Sequence, residues 1–364
     1  MTFQTPTATP SASAARPHVE ACRSTGTSPG RAGHVRVRLD LDSGASVDAL
    51  VGYELHGRPG DEPIVVLGGI SADRHLAPTR ERAERGWWPG VVGPGEALDT
   101  DRTALLGIDY LVPERLETGR AGGVAEAGEV AQGTAWVPPR VTSSDQARAL
   151  AAVLDALDFS AVTLVGASYG GMVGLAFARL FPSRARRLLI LCAAHRTHPM
   201  ATALRAVQRR IVRLACEAGR PADGLSLGRA LAMTTYRSAE EFDRRFDWWP
   251  EEGGGAVRFP VERYLDARGD DFAARFSAER FTRLSESIDL HRVDPDGLTV
   301  PTVLVSVDTD ALVPSWLVDE LTERAPGVEL HLTLRSIYGH DAFLKETALV
   351  SDVIRSCLTA GVAA

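Results

Sequence analysis

The sequence has few cysteines, and their spacing fits neither a metal site nor a disulfide framework. Its 364 residues include only Cys22, Cys192, Cys216 and Cys357, with no Cys-x-x-Cys pair. Cys192 lies in an apolar segment, where a reduced thiol packs as a small hydrophobic group. We therefore predict no bound metal and a location in the reducing cytoplasm.

Long apolar runs and clusters of positive charge are also missing. No apolar segment approaches the roughly 18 residues that a membrane-spanning helix needs. The net charge is −7, and no basic stripe points to nucleic acid. Residues 1–33 are rich in Pro, Ser, Thr and Ala without the apolar core of a signal peptide, so we interpret them as a disordered tail. These absences favour a globular protein whose partners are small molecules.

What the sequence does contain is an alternation of apolar strands and helical segments. Residues 34–41 and 47–54 alternate apolar and polar side chains, which predicts an antiparallel hairpin at a sheet edge. Continuous apolar runs, typical of strands buried on both faces, follow at residues 63–67, 104–109, 162–165, 187–192 and 300–307. The pattern predicts an α/β fold with a mainly parallel sheet and helices on both faces.

Two segments interrupt this alternation. Residues 113–139 are rich in Gly, Ala, Glu and Pro, which predicts a flexible surface excursion. Residues 196–295 have helical periodicity, many arginines and no buried strand, and we interpret them as a helical lid inserted into the fold. The predicted core then consists of residues 34–195 and 296–364.

A serine between two glycines is the strongest candidate for a catalytic residue. The apolar run at residues 162–165 ends in Gly-Ala-Ser-Tyr-Gly at residues 166–170, and a helical pattern follows. This order is typical of a nucleophile elbow, in which a strained strand-to-helix turn presents the serine above the sheet. Ser168 is therefore the predicted nucleophile. The alternative is a glycine-rich turn that holds no nucleophile.

An acid and a histidine follow the serine in the order expected for such a site. Asp310 follows the strand at residues 300–307, and His340 follows the last predicted strand at residues 328–334. The order Ser, Asp, His is that of the α/β-hydrolase fold. Asp308 is the competitor for the acid, but Asp310 lies on the loop beyond the strand, where this fold places it. The three residues predict acyl transfer through a serine.

Backbone N–H groups are expected to stabilise the oxyanion of such a reaction. The loop at residues 68–71 follows an early central strand, where this fold places an oxyanion hole. The predicted donors are the N–H groups of Ile70 and Tyr169, the second being the residue after the nucleophile. An ordinary glycine turn is the alternative for this loop.

Several short motifs, taken in their joint order, resemble one family within this fold. They are Gly-Trp-Trp at residues 86–88, Gly-Pro-Gly at 93–95, Asp-Thr-Asp at 99–101, Gly-Gly-Met at 170–172, Val-Gln-Arg at 207–209, Asp-Phe and Arg-Phe within 271–276, and Gly-His-Asp-Ala-Phe-Leu at 339–344. Together they resemble the homoserine O-acyltransferase family of the α/β-hydrolase superfamily, from about residue 35 to residue 350.

The resemblance implies a ping-pong reaction and a substrate site. Ser168 would accept an acetyl or succinyl group from acyl-CoA, a co-substrate and not a bound cofactor, and pass it to the hydroxyl of homoserine in methionine biosynthesis. Arg209 would bind the substrate carboxylate and Asp341 its amino group. A solvated basic face for Arg209 and a helix cap for Asp341 are the alternatives. The family also implies a homodimer joined through lid helices.

Departures from the family pattern leave the substrates open. Gly-Gly-Ile-Ser at residues 68–71 replaces the common His-Ala-Leu-Thr, and Tyr169 replaces a frequent methionine. Arg74 could meet a succinyl carboxylate or simply form a surface salt bridge. Acetyl or succinyl as donor, and homoserine or serine as acceptor, are therefore both open. A carboxylic ester hydrolase and a non-catalytic binding protein of the same fold are the competing functions.

Overall fold

A computed structural model describes residues 30–57, 62–112, 124–126, 139–250 and 257–360. Its strands are β1 (Gly30–Asp40), β2 (Ser46–His56), β3 (Ile64–Leu67), β4 (Val92–Gly93), β5 (Leu98–Asp99), β6 (Leu105–Ile108), β7 (Val124–Glu126), β8 (Val162–Ala167), β9 (Ala185–Leu191), β10 (Thr302–Val307) and β11 (Val328–Leu334). Its helices are α1 (Ser143–Ala156), α2 (Tyr169–Leu180), α3 (Pro199–Glu217), α4 (Pro221–Tyr236), α5 (Ala239–Arg245), α6 (Pro260–Ala273), α7 (Ala278–Asp289), α8 (Ser315–Arg324), α9 (Ala342–Lys345) and α10 (Thr347–Ala360).

The main sheet has the order β1-β2-β6-β3-β8-β9-β10-β11, and β7 pairs with β2. The first two strands form an antiparallel hairpin at one edge, and β2 is antiparallel to β6. From β6 to β11 every neighbouring pair is parallel. The predicted mainly parallel sheet is therefore confirmed.

Helices cover both faces of this sheet because alternate strand residues are apolar on both sides. All four residues of β3 are buried. Val65 packs in the cluster that includes Leu150 of α1. Val66 packs in the opposite cluster, which includes Ile354 of α10. Strands buried in this way require helices on each side, which confirms the predicted α/β architecture.

The segment between β9 and β10 forms the helices α3 to α7. Four of its side chains, Val212, Leu225, Phe272 and Phe281, make a small apolar core of their own. An antiparallel bridge between Arg196 and Arg292 lies where the segment leaves and rejoins the sheet. We refer to α3 to α7 as the lid, because residues of α3, α4 and α7 line a cavity together with Ser168, which follows β8.

The N-terminal boundary differs from the prediction. Strand β1 begins at Gly30, four residues before the predicted start, because β2 continues to His56 and provides pairing partners as far as Gly30. Residues 1–29 of the predicted tail lie outside the described residues. So does most of the predicted excursion at 113–139, of which Val124–Glu126 forms β7 beside β2.

Candidate active site

The serine of the predicted elbow lies between the end of β8 and the start of α2. Ser168 has φ 55° and ψ −121°, a positive φ that residues with side chains rarely adopt. A Cβ at Gly166 would lie 2.5 Å from the carbonyl oxygen of Gly170, and a Cβ at Gly170 would lie 2.3 Å from that of Leu67. Only glycine fits at either position, so these residues permit the tight strand-to-helix turn.

Ser168, His340 and Asp310 form one hydrogen-bonded chain. The Ser168 hydroxyl lies 2.8 Å from Nε2 of His340. Nδ1 of His340 lies 2.7 Å from Oδ2 of Asp310. A carboxylate at Nδ1 favours the tautomer that carries its proton there, which leaves Nε2 free to accept the serine proton. The arrangement can therefore generate a serine nucleophile.

The two candidate acids have different partners. Oδ1 of Asp310 accepts hydrogen bonds from the N–H groups of Leu312 and Val313, at 2.8 and 2.9 Å, which fix its other oxygen toward the histidine. Asp308 instead accepts a hydrogen bond from the N–H of Ser336 at 3.1 Å. The geometry thus joins Asp310 to the histidine, while Asp308 holds the loop that follows β11.

The environment of His340 favours its protonated form. Burial lowers the pKa of His340, but the charge and hydrogen bond of Asp310 and the charge of Asp341 raise it, and the net effect is a pKa above the ordinary value. Arg205 opposes this increase. A more basic imidazole is suited to accept the proton of Ser168 during attack.

The loop after β3 lies against the serine. A Cβ at Gly69 would be 3.9 Å from the Ser168 hydroxyl, and the N–H of Gly170 donates to the carbonyl of Gly68 at 2.9 Å. Tyr169 is the first residue of α2, so its N–H has no partner within the helix. Ile70 lines the same cavity as the serine. This arrangement is compatible with the predicted oxyanion hole at Ile70 and Tyr169.

Cys192 contributes a neutral wall behind the histidine. Its sulfur and the ligand atoms of Asp310 and His340 all lie within 4.8 Å of one another. Burial, followed by the charges of Asp310 and Asp341, raises the pKa of the Cys192 thiol. The thiol is therefore protonated at neutral pH, and the nearby imidazole and carboxylate bind each other.

A cavity lies between Ser168 and the lid. Its polar and aromatic lining includes Trp87, Arg205, Gln208, Arg229, Tyr236 and Asp341. The lid contributes Arg205 and Gln208 from α3 and Arg229 and Tyr236 from α4. The cavity thus offers both signs of charge within reach of one nucleophile.

Arg209 is not among the residues that line this cavity, which differs from its predicted role. Nη1 of Arg209 lies 2.7 Å from Oδ2 of Asp289 and donates to the Ser285 hydroxyl at 2.8 Å. Its side chain lines a neighbouring hollow between α3 and α7. Arg205 lines the cavity instead. Arg209 lies one helical turn after Arg205, and its guanidinium is held there by Asp289 and Ser285.

Comparisons with known proteins agree with this geometry. The α/β-hydrolase fold family matches residues 101–347. The homoserine O-succinyltransferase of Xanthomonas campestris pv. campestris is 41% identical over 91% of this chain and 84% of that protein. The homoserine O-acetyltransferase of Thermus thermophilus is 32% identical over 84% and 85%, and the serine O-succinyltransferase of Litchfieldella anticariensis is 33% identical over 84% and 90%. The chain belongs to the homoserine O-acyltransferase family.

Solved structures support the fold of this family member. A homoserine O-acetyltransferase from Bacillus anthracis superposes with a TM-score of 0.77 over 91% of this chain and 98% of that one, at 16% identity. The esterase E22 superposes with a TM-score of 0.74 over 91% and 99%, at 18% identity. The described part of the chain contains no helix that combines the length and apolar character needed to cross a membrane.

Arg229 lines the cavity of this acyltransferase homologue, although the sequence did not single it out. Its guanidinium lies 5.1 Å from the ring centre of Tyr236 and 5.2 Å from that of Phe272. Among the described residues, no carboxylate lies within 4.0 Å of it. The position gives no sequence signal, since an arginine in the middle of a helix is common and its direction depends on how α4 packs.

Asp341 lines the cavity beside His340, and its carboxylate is held from behind. Oδ2 of Asp341 lies 3.1 Å from Nε of Arg237. Nη1 of Arg237 lies 3.6 Å from Oε1 of Glu241. These side chains are almost fully buried. The ion pairs fix the direction of Asp341.

Arg74, which the sequence offered as a partner for a succinyl carboxylate, pairs with Asp109 and is not among the residues that line the cavity.

The two neighbouring tryptophans have different surroundings. Trp88 is buried and donates from Nε1 to the carbonyl of Phe343 at 2.8 Å. Trp87 stacks on it at 4.9 Å and lines the cavity. Nε1 of Trp87 is buried, and within the described ranges it has no hydrogen-bond partner. Trp88 is therefore a packing residue, and Trp87 gives the cavity an aromatic wall.

Proposed function

We propose that this protein transfers an acetyl or succinyl group from acyl-CoA to the hydroxyl of L-homoserine, in methionine biosynthesis. The proposal rests on one cavity, which is lined by Ser168, the cation Arg229 and the anion Asp341, and in which Ser168 is hydrogen-bonded to His340. Those two charges match the carboxylate and ammonium groups of an α-amino acid. The relatives named for homoserine acylation, at 41% and 32% identity, support the same activity.

The first half-reaction forms an ester on the serine. The Ser168 hydroxyl attacks the thioester carbonyl as His340 accepts its proton, and Asp310 stabilises the imidazolium. The N–H groups of Ile70 and Tyr169 stabilise the oxyanion, each by roughly 3 kcal/mol. Collapse of the intermediate breaks the carbon–sulfur bond, and His340 returns the proton to the thiolate of CoA.

The second half-reaction delivers the acyl group to the amino acid. His340 takes the proton from the side-chain hydroxyl of homoserine, whose oxygen attacks the acyl ester. The new carbon–oxygen bond forms as the bond to Ser168 breaks, and His340 protonates the serine. No bound cofactor is needed, because acyl-CoA is consumed as a co-substrate.

Two charged residues are proposed to orient the acceptor. Arg229 is suited to the carboxylate, because no carboxylate of the described chain neutralises it and a guanidinium can bind both oxygens at once. Asp341 is suited to the ammonium group, next to the histidine that activates the hydroxyl. Tyr236 connects the two places, since its ring lies under Arg229 and 6.0 Å from the His340 ring. Serine is the second candidate acceptor, supported by the relative named for serine succinylation.

Assembly and location belong to the same proposal. We infer a homodimer joined through the lid, because Met200, Val207 and Leu214 recur every seven residues along α3 and are about half exposed. A cytoplasmic location is supported by the free thiols of Cys192, Cys216 and Cys357.

The experiment that tests the function is thiol release from acetyl-CoA and succinyl-CoA, each with L-homoserine, L-serine or no acceptor, with mass spectrometry of the product. Release that depends on homoserine and yields its O-acyl ester is expected. Equal release without acceptor would instead indicate a hydrolase, and no release with either donor would contradict acyl-CoA chemistry.

A Ser168→Ala variant is the control for the mechanism. The alanine removes only the hydroxyl, so the variant should keep the wild-type circular dichroism and melting temperature while homoserine-dependent thiol release falls to background. Retained turnover in a folded variant would contradict the acyl-serine route.

A further inference from the structure

The cavity contains more positive charge than an amino-acid acceptor requires. A zwitterionic acceptor needs one cation and one anion, and Arg229 and Asp341 supply them on the side of the cavity that Tyr236 occupies. Arg205 lines the same cavity from α3, where it lies with Asp289 of α7. The proposed acceptor contacts therefore leave this second cation without a partner from the acceptor.

Arg205 belongs to a cluster with an unbalanced charge. Its Nε and Nη2 lie 2.7 and 2.6 Å from Oδ1 of Asp289. Nη1 of Arg209 lies 2.7 Å from Oδ2 of the same carboxylate. Two guanidiniums thus share one carboxylate, which gives the cluster a charge of +1. The side chains are only 11 to 19% exposed.

The groups in contact with Arg205 supply no second negative charge. Ser285 and Gln208 are uncharged, and Arg283 and Glu286 of α7 pair with each other at 2.8 Å. In the described part of the chain, Asp289 is the one carboxylate within 4.0 Å of Arg205. Nη2 of Arg205 is buried and makes no hydrogen bond of normal geometry there. A partly desolvated net charge is unfavourable unless an anion binds to it.

We propose that Arg205 binds the terminal carboxylate of a succinyl group, so that succinyl-CoA is preferred over acetyl-CoA. The inference rests on the proposed acyltransferase function and names its donor. The acyl group is attached to Ser168, which shares the cavity with Arg205. An acetyl group ends in a methyl group beside its carbonyl carbon and brings no negative charge to the cluster, whereas the distal carboxylate of a succinyl group gives the two guanidiniums a second anion.

The wild-type enzyme gives the first test, with succinyl-CoA, acetyl-CoA and butyryl-CoA as donors and saturating homoserine. Butyryl-CoA has the same four-carbon acyl chain as succinyl-CoA but no carboxylate. We expect kcat/KM for succinyl-CoA to exceed both others by about 100-fold, as for a partly buried charged pair. Equal use of succinyl-CoA and butyryl-CoA, or a preference for acetyl-CoA, would overturn the donor assignment.

The second test compares Arg205→Gln with Arg213→Gln. The first variant leaves a neutral Arg209–Asp289 pair, so we expect it to fold, and circular dichroism checks this. Its ratio of kcat/KM for succinyl-CoA over butyryl-CoA should fall about 100-fold, with partial recovery in Arg205→Lys. Arg213 lies on the same helix but is 65% exposed, so Arg213→Gln should keep the wild-type ratio.

The outcomes separate this inference from the function on which it rests. A wild-type enzyme that makes an O-acyl ester but whose donor ratio does not change in Arg205→Gln overturns the role of Arg205 alone. A variant that raises KM for homoserine and leaves the donor ratio unchanged assigns Arg205 to the acceptor instead. Absence of any homoserine-dependent release in the wild type would reject the acyltransferase function itself.

Discussion

Both ring nitrogens of His340 are hydrogen-bonded, and each hydrogen bond has a different effect on the basicity of the ring. The Asp310 carboxylate at Nδ1 favours the imidazolium, while the Ser168 hydroxyl at Nε2 needs the neutral ring as acceptor. The reaction therefore requires His340 to be unprotonated before attack. Since the pKa of His340 is raised above its ordinary value, the loss of activity on acidification should begin above pH 6.5, the ordinary value.

At the residue scale we predict the effect of Asp341→Asn on this pH dependence. The charge of Asp341 raises the pKa of His340, so its removal should lower that pKa and move the acid limb of kcat/KM for acyl-CoA to lower pH. The measurement is the pH profile of acylation, monitored by thiol release in the first turnover without an amino acid.

Asp308→Asn is the matched control for this prediction. Asp308 lies in the same loop as Asp310 but binds the N–H of Ser336, and an asparagine oxygen can still accept that bond. The control should therefore keep the wild-type acid limb. An unchanged limb in Asp341→Asn, or an equal shift in Asp308→Asn, would contradict the assignment of the charges around His340.

The position of the nucleophile depends on the close contact between α2 and β3. The first turn of α2 lies against the end of β3, where a Cβ at Gly170 would be 2.3 Å from the carbonyl oxygen of Leu67. The main chain of Leu67 cannot move away from such a Cβ, because Leu67 belongs to β3 in the central sheet. One turn later, a Cβ at Gly174 would lie 3.1 Å from Cδ1 of Ile190, the mobile end of a side chain.

At the element scale we predict different effects for Gly170→Ala and Gly174→Ala. The first should destabilise the protein by about 1–3 kcal/mol through overpacking and reduce acyl transfer by displacing the serine. The second should change stability by less than about 1 kcal/mol, because the better helix propensity of alanine offsets the tight contact. Urea unfolding and thiol release measure both quantities. Equal stability of the two variants would contradict the backbone contact at Gly170.

His291 links the start of α1 to the segment that follows β9. Its Nδ1 lies 2.7 Å from the hydroxyl of Ser143 at the start of α1, and its Nε2 lies 3.0 Å from the carbonyl of Ala194 after β9. Burial lowers the pKa of His291 to about 4 from an ordinary 6.5. The unfolded chain therefore binds a proton at this residue at a pH where the folded chain does not.

We accordingly predict a loss of stability on acidification that depends on His291. The free energy of unfolding has its full value from His291 above pH 6.5, where the ring is neutral in both states. It decreases by at most about 3 kcal/mol as the pH falls toward 4. In His291→Gln the slope of the unfolding free energy against pH should be smaller over this window. Comparison of the two proteins above pH 6.5 measures the cost of the lost contacts separately, and parallel slopes below it would contradict the prediction.

The sequence predicted those parts of the fold and site that depend on local pattern. Ser168, Asp310 and His340 each follow an apolar strand, and parallel strands bring such positions to one edge of the sheet. The start of β1 at Gly30 was missed, because pairing with β2 and not local propensity extends it. Arg205 and Arg229 were also missed, since their directions are set by how the lid helices pack on one another.

At the scale of the whole molecule, the lid has one face on the elbow and another that is open. Tyr169 of α2 and Ser287 of α7 pair their hydroxyls at 2.6 Å in a buried contact between core and lid. On the outer side of α3, Met200, Val207 and Leu214 are 60%, 49% and 58% exposed. Residues seven apart lie on one face of a helix, so they form an apolar stripe along α3.

We predict that this stripe holds the proposed homodimer together, because an apolar stripe along a long helix is suited to pack against its symmetry mate. Wild-type protein should sediment at twice the monomer mass, and the double variant Val207→Glu, Leu214→Glu should sediment as a folded monomer, since like charges would face each other across the two-fold axis. Leu349→Glu on α10, where the leucine is 45% exposed, is the control and should remain dimeric. A monomeric wild type would reject the dimer. A dimer that survives both glutamates would place the interface elsewhere.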